Sequence, residues 1–240
     1  YLAGIDGVII QDIGLASILR KAVPGLALHA STQMSVMSPK ALPYLKKAGF
    51  KRVVAAREMS LPQLKIFCRE AEKAGLETEV FVHGALCMSV SGQCKLSAYL
   101  GSRSGNRGLC AQPCRLKYGW GAKADSYPLS LKDMSLAGHL RELEEMGVAC
   151  AKIEGRMKRP EYVAVVTKVY ATAIREHRDP TPGEQQALAH AFSRQGFTDG
   201  YFMDKTGRHM FGIREKTPVP TKLFAAAKGD YSKEHPTVPV

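Results

Sequence analysis

Short apolar runs alternate with longer amphipathic stretches along the chain. Residues 5–10 (I-D-G-V-I-I) have the length and composition of a strand, and residues 16–22 read as a short helix stopped by Pro24 and Gly25. The pattern then repeats as a strand at 26–29, a helix at 39–48 ended by Gly49, and a strand at 52–55. A helix at 61–74 follows, with Ser60 as its N-cap and Gly75 as its stop, and a fourth strand covers 79–83. After an irregular segment the rhythm resumes with a strand at 127–130 and a helix that opens at 132–135 and runs to 146. A strand at 148–153, a long helix at 160–177 begun by Pro160, and a helix at 183–194 complete the pattern. Residues 179–183 form a Pro-rich linker, and beyond Gly196 the periodicity fades.

Strand starts near 7, 26, 52 and 78, with helices between them, are the spacing of βα units. The expected class is α/β: a partial TIM-barrel-like parallel barrel with a Cys-rich loop insertion and a C-terminal extension. About six strands are legible, whereas a closed barrel needs eight. Because the chain opens in mid-rhythm on Tyr1, a fragment lacking the first units of a barrel is the simplest expectation. An open doubly wound sheet is the competing one. The expected division is a barrel domain at 1–178, then a linker, a helix and the start of a further domain at 179–240.

In a parallel barrel the functional loops follow the strand C-termini. That rule selects His83, Glu154, Arg156 and Lys158, and also His29 and Gln33. A Glu-Gly-Arg cluster directly after a strand suits acid–base chemistry, though a helix-start carboxylate explains Glu154 alone. His83 reads equally as a satisfied core histidine.

The segment after the fourth strand holds four of the six cysteines: Cys87, Cys94, Cys110 and Cys114. Their spacing is C-x6-C, fifteen residues, then C-x3-C. This is neither a zinc ribbon nor a bacterial ferredoxin run, so it points to a metal or iron–sulfur site without naming the metal. Cys68 and Cys150 fall inside regular elements and read as small buried hydrophobes. Arg103, Arg107, Arg115, Lys117, Arg156, Lys158 and Arg159 crowd the same loops, with Tyr99, Tyr118 and Trp120 among them. Guanidinium groups beside aromatic rings can hold phosphate and stack a base; a solvated loop surface is the plainer account.

Composition narrows the picture further. The net charge is +12 over 240 residues, which permits contact with nucleic acid. No apolar run is long enough to span a bilayer and no signal peptide is legible, so a cytoplasmic, reducing setting without membrane contact is expected. Thiols there are ligands or free groups rather than disulfides.

The cysteine segment E-V-F-V-H-G-A-L-C-M-S-V-S-G-Q-C-K-L-S resembles the signature of the U32 peptidase family, the collagenase-like proteases. N-R-G-L-C-A-Q-P-C-R-L-K-Y continues the likeness, as do H-A-S-T-Q-M at 29–34, R-V-V-A-A-R-E at 52–58 and K-I-E-G-R-M-K at 152–158. The tail at 193–202 looks like that of longer members acting on ribosomal RNA. The resemblance implies a TIM-barrel-like fold. It also implies oxygen-independent hydroxylation of tRNA, of ribosomal RNA or of a quinone precursor. By motif position it implies an iron–sulfur cluster, of the 4Fe–4S kind, on Cys87, Cys94, Cys110 and Cys114. RNA is then the expected partner, with His83, Glu154 and Arg156 catalytic and His29, Gln33, Arg107, Arg115 and Lys158 holding substrate.

Two other readings stand beside this one. A peptidase would show H-E-x-x-H or G-x-S-x-G, and neither is present. A cysteine peptidase could pair one thiol with His83 or His29 but leaves three clustered thiols unexplained. A structural zinc module would use the thiols without catalysis.

Overall fold

A computed structural model describes residues 1–120, 123–214 and 218–231. Its centre is a seven-stranded, mostly parallel sheet flanked by helices. Strands β1 (Gly7–Ile10), β2 (Ala27–Ala30), β3 (Phe50–Val54) and β4 (Glu77–Ala85) are parallel neighbours in chain order. Helices α1 (Ile13–Ala22), α2 (Leu42–Lys47) and α3 (Leu61–Lys73) connect them. Their ends follow local chemistry. Asp12 caps α1 by accepting from Leu15 N at 2.6 Å, and Ser60 and Gln63 form a capping box on α3. Gly75 then closes α3 at φ +67°, a conformation open to glycine.

After β4 come helix α4 (Leu96–Gly101) and a small antiparallel ribbon of β5 (Tyr118–Trp120) and β6 (Lys123–Ser126). Strand β7 (Asp133–Ser135) then returns antiparallel to the end of β4, pairing His83 with Ser135. Helix α5 (Leu140–Glu145) leads to β8 (Cys150–Ile153), which is parallel to β4. Helices α6 (Pro160–Arg175) and α7 (Pro182–Ala191), strand β9 (Phe197–Thr198) and helix α8 (Thr221–Tyr231) complete the chain, with β9 parallel to β7. Leu188, Phe202, Met210 and Phe224 enter the same core as Leu28, Val53, Phe67 and Val166, and α7 and α8 pack on α6.

The parallel order β1-β2-β3-β4-β8 is the order the βα spacing predicts. Two elements differ. Residues 127–130 form a turn, not a strand. Residues 132–146 are not one helix: Asp133–Ser135 is β7, and the helix is confined to Leu140–Glu145. Ser135, which a helix over 132–146 would use as its N-cap, lies in β7 instead; the Asp133 carboxylate accepts from Arg194 at 2.6 Å, while Lys132 N and Leu136 N bond to Met210 O and Val82 O. Tertiary pairing outweighs the local N-cap signal.

β1 is the last strand on its side of the sheet, and Ile5, Ile9, Ile13 and Ile18 beside it are all exposed. The helix-covered sheet face is apolar, but the other carries a polar ladder. His29 on β2 is in register with Arg52 on β3, which ion-pairs with Glu77 at 2.6 Å and Glu79 at 3.4 Å. Lys152 on β8 reaches the same buried Glu79. Alternation along β2, β3, β4 and β8 therefore separates a greasy face from a charged one.

Gly84 is the tightest point of this sheet. It sits at φ +117°, and a Cβ there would fall 2.5 Å from Glu154 O and 2.9 Å from Glu154 Cβ. Gly84→Ala is expected to destabilise the protein by about 2–4 kcal/mol, since backbone strain and a clash with main chain act together. Urea titration measures it, and a loss below about 0.5 kcal/mol would contradict the close approach.

Candidate functional site: a cysteine loop held at the strand ends

Loops from four strands meet at one end of the sheet. The cysteine segment leaves the end of β4, and three neighbouring loops tie it down. After β2, Gln33 Nε2 donates to Gly92 O at 3.3 Å and to Asn106 Oδ1 at 2.6 Å. Gln93 Nε2 returns bonds to Gln33 O at 2.6 Å and Ser35 Oγ at 2.7 Å. After β3, Glu58 accepts from Ser91 N at 2.8 Å, and Arg57 donates to Ala85 O at 2.8 Å. After β8, Glu154 Oε2 lies 3.8 Å from the Arg57 guanidinium, and its Oε1 accepts from Arg156 N at 3.1 Å. The exposed Arg156 side chain lies against Gly108, within 3.8 Å of where a Cβ would sit.

All four clustered thiols are free cysteines. Cys87 feels the charges of Cys114 and Cys94, and Cys114 those of Cys110 and Cys94, so they occupy one neighbourhood. Among the described residues, however, no three His, Cys, Asp or Glu side chains converge tightly enough for a single metal ion. Three thiols share a local motif. Leu96 N donates to Cys94 Sγ at 3.4 Å and Gln112 N to Cys110 Sγ at 3.3 Å, and the Ser89 backbone serves Cys87 in the same way. Ser97 Oγ also lies 3.6 Å from Cys110 Sγ. Donors from two residues downstream favour a sulfur that carries negative charge. Burial pushes the Cys87 and Cys114 thiols up, against the pull of Arg57 on the first and Arg115 on the second.

The other sequence-selected residues separate into distinct settings. Arg107 and Tyr99 are exposed on the cysteine loop. The side chain of Trp120 lies outside the described residues. Arg115 is largely buried and spans to Leu86 O at 2.7 Å, Leu131 O and Ser130 Oγ, which makes it a strut between the loop and the sheet. Gln33 is likewise committed to the loop. His29 is not beyond its strand: it lies within β2, opposite Arg52, where burial and then that guanidinium lower its pKa. Lys158 is mostly buried rather than presented to solvent, its Nζ 3.7 Å from Asp133.

His83 is fully buried in a box of Tyr162, Tyr170 and Phe197. The Tyr170 hydroxyl donates to Val82 O at 3.0 Å, so at 3.1 Å it accepts from His83 Nδ1–H. His83 Nε2 and Asp133 Oδ1 are then buried atoms without a hydrogen-bond partner among the described residues. Burial lowers the His83 pKa from 6.5 to about 4. A depressed histidine stabilises the fold above its unfolded pKa and loses that contribution as pH falls. Stability is therefore expected to drop by about 3 kcal/mol between pH 6.5 and 4, and His83→Leu to flatten that slope. Urea midpoints across that range test it; an unchanged slope in the variant would refute it.

Sequence reading missed Arg57, Glu58, Asp133 and Arg194. The first two directly follow β3, so the rule that selected His83 and Glu154 would have found them too. Asp133 and Arg194 meet only in three dimensions, and their sixty-one-residue separation carries no local signal.

A parallel α/β sheet with a thiol-rich loop at its strand ends defines a class in which chemistry sits above a rigid sheet. Residues 1–211 match the model of peptidase family U32, and the chain belongs to that family. It is 36% identical over 184 residues to tRNA hydroxylation protein P1 of Bacillus subtilis, covering 72% of this chain and 43% of that one. It is 38% identical over 212 residues to the 23S rRNA 5-hydroxycytidine C2501 synthase of Escherichia coli, covering 86% of this chain and 31% of that one. It is 33% identical over 223 residues to a collagenase of Porphyromonas gingivalis, covering 84% of this chain and 53% of that one. The chain thus spans about half or less of the length of these relatives. No solved structure matches it.

Proposed function

We propose that this chain forms part of an RNA-hydroxylating enzyme, with an iron–sulfur cluster on Cys87, Cys94, Cys110 and Cys114. One observation carries the reading: four thiols share a strapped loop, and three of them receive backbone N–H donors two residues downstream. That donor set fits thiolate ligands. When bound, such a cluster supplies one-electron chemistry. The protein's own part is then clear. Arg57 and Arg115 offset anionic charge beside Cys87 and Cys114. Glu154, held by Arg57 and the Arg156 backbone, holds or accepts a proton at its carboxylate above the sheet. Arg107 and Arg156, both exposed, present charge to an RNA backbone. His83 keeps an unprotonated Nε2 in the dry interior below.

The named activities of the tRNA and 23S rRNA relatives support RNA as the substrate class. The parallel order of β1 to β4 and β8 supports a barrel as the architecture of the whole protein. No helix among the described residues is long and apolar enough to cross a membrane. The test is mass spectrometry of nucleosides from tRNA and ribosomal RNA of cells with and without the full-length gene. A pyrimidine heavier by one oxygen should vanish in the deletion and return with the intact gene but not with Glu154→Gln. Unchanged nucleosides in both RNA classes would refute the activity.

A further inference from the structure

Beside the sheet, cations outnumber carboxylates around a second cavity that the thiol loop does not line. Of the charges acting most strongly on Lys158, one is a carboxylate, Asp133, and three are the guanidinium groups of Arg194, Arg214 and Arg115. Arg194 takes one oxygen of Asp133 at 2.6 Å, while Lys158 stands off the other at 3.7 Å. Asp133 Oδ1 therefore stays without a hydrogen bond among the described residues. Three cations also crowd one ring: Lys158 Nζ lies 2.8 Å, Arg214 Cζ 3.9 Å and Arg194 Cζ 4.9 Å from the centroid of Phe192. Packing like charges around the mostly buried Lys158 amine costs free energy unless an anion joins them or the amine gives up its proton, and burial, with the arginines' repulsion, already lowers the Lys158 pKa to about 7. A cavity of about 220 Å³ opens here, lined by Lys158, Arg159, Arg214, Tyr162, Phe192 and Phe224.

We infer that this cavity is an oxyanion site that takes a phosphate group on Lys158 and Arg214. Two observations specify the ligand beyond its sign. A guanidinium and a lysine amine that line one cavity supply several N–H donors, the pattern that matches a tetrahedral oxyanion better than a halide. Apart from Arg159, which pairs with Glu161, the remaining walls are aromatic and apolar, so the cavity has a place for the organic group that bears the phosphate. Asp133 and Arg194 position Lys158 from below. The phosphate comes either free in solution or from the backbone of RNA. The second source rests on the function proposed above; the first does not.

The experiment compares the full-length protein with its Arg214→Gln and Lys158→Met variants. Thermal unfolding is followed with inorganic phosphate against chloride at matched ionic strength, and RNA binding against salt with a short oligonucleotide. Arg214 is exposed, so its replacement leaves folding intact. Phosphate should raise the unfolding temperature of the wild type, and each variant should weaken its binding at least tenfold. A salt slope for RNA that is shallower by about one in Arg214→Gln assigns the phosphate to RNA. An unchanged RNA slope, with phosphate stabilisation lost in the variants, assigns the site to free phosphate. If the protein binds no RNA yet phosphate still stabilises it through these two residues, the site stands and the RNA reading falls. If phosphate acts no differently from chloride and the RNA slope is unchanged, or if both variants keep wild-type phosphate binding, the site is refuted.

Discussion

Replacing Arg194 with methionine is expected to destabilise the protein by about 3 kcal/mol, the lower end of the range for breaking a buried ion pair. Arg194 and Asp133 are both buried and meet at 2.6 Å. Removing the guanidinium leaves a carboxylate whose remaining cation, Lys158, is 3.7 Å from its other oxygen. Two effects oppose each other. Loss of the hydrogen-bonded partner costs several kcal/mol, but it also removes a positive charge from beside Lys158, Arg115 and Arg214. The first dominates because it acts at hydrogen-bond distance, while the repulsions act over longer separations. Replacing Asp133 with leucine in the same protein should recover part of the loss, since the buried carboxylate is gone and Lys158, its pKa lowered to about 7 by burial, can give up its proton. Urea unfolding of the two single variants and the double variant measures this coupling. A double variant no more stable than Arg194→Met would refute it.

Cys87→Ala and Cys94→Ala are each expected to remove most of the iron from protein prepared without oxygen. Wild-type protein should be brown with about four irons per chain. The two thiols enter the site from opposite ends of the Val90–Gly92 turn, which Glu58 and Gln33 hold in place. Losing either ligand leaves the turn tied down, so the secondary structure should survive while the metal goes. Cys68→Ala is the control. Cys68 is buried in α3, where burial raises its thiol pKa and Thr78 is its neighbour, and its loss should leave iron content unchanged. Colourless wild-type protein containing zinc and no iron would overturn the cluster assignment.

How far the sequence spoke depended on how local each signal was. Strands β1 to β4 and helix α3 were legible because apolar runs, the Ser60 cap and the Gly75 stop sit within a few residues of one another. β7 was not legible, since Lys-Asp-Met-Ser looks like a helix start until Arg194 claims the carboxylate. β9 has only two residues, and its pairing with β7 comes from across the fold. Helix α8 carried a helix-forming signal in Leu-Phe-Ala-Ala-Ala-Lys that the surrounding Gly, Pro and Lys residues masked. At the site, Cys87 to Cys114 were legible as one set from crowding alone. Arg115 and Gln33 looked like ligand-binding groups because their types are polar and their positions follow the right elements. Only the coordinates separate a guanidinium that faces solvent from one whose donors are spent on Leu86, Ser130 and Leu131.

The straps from Gln33, Glu58, Arg57 and Arg115 carry a consequence for the life of the protein in the cell. Gln33 follows β2, Arg57 and Glu58 follow β3, and Arg115 reaches back from the thiol segment itself; each holds that segment through protein atoms alone. None of these bonds uses a cysteine sulfur, so the fastening does not depend on the cluster proposed above. Oxidants that dismantle a cluster would leave a waiting socket instead of an unravelled loop, and repair becomes a matter of reloading. The same rigidity shields the neighbouring backbone from proteases during the interval, so damage remains reversible for as long as the sheet itself endures.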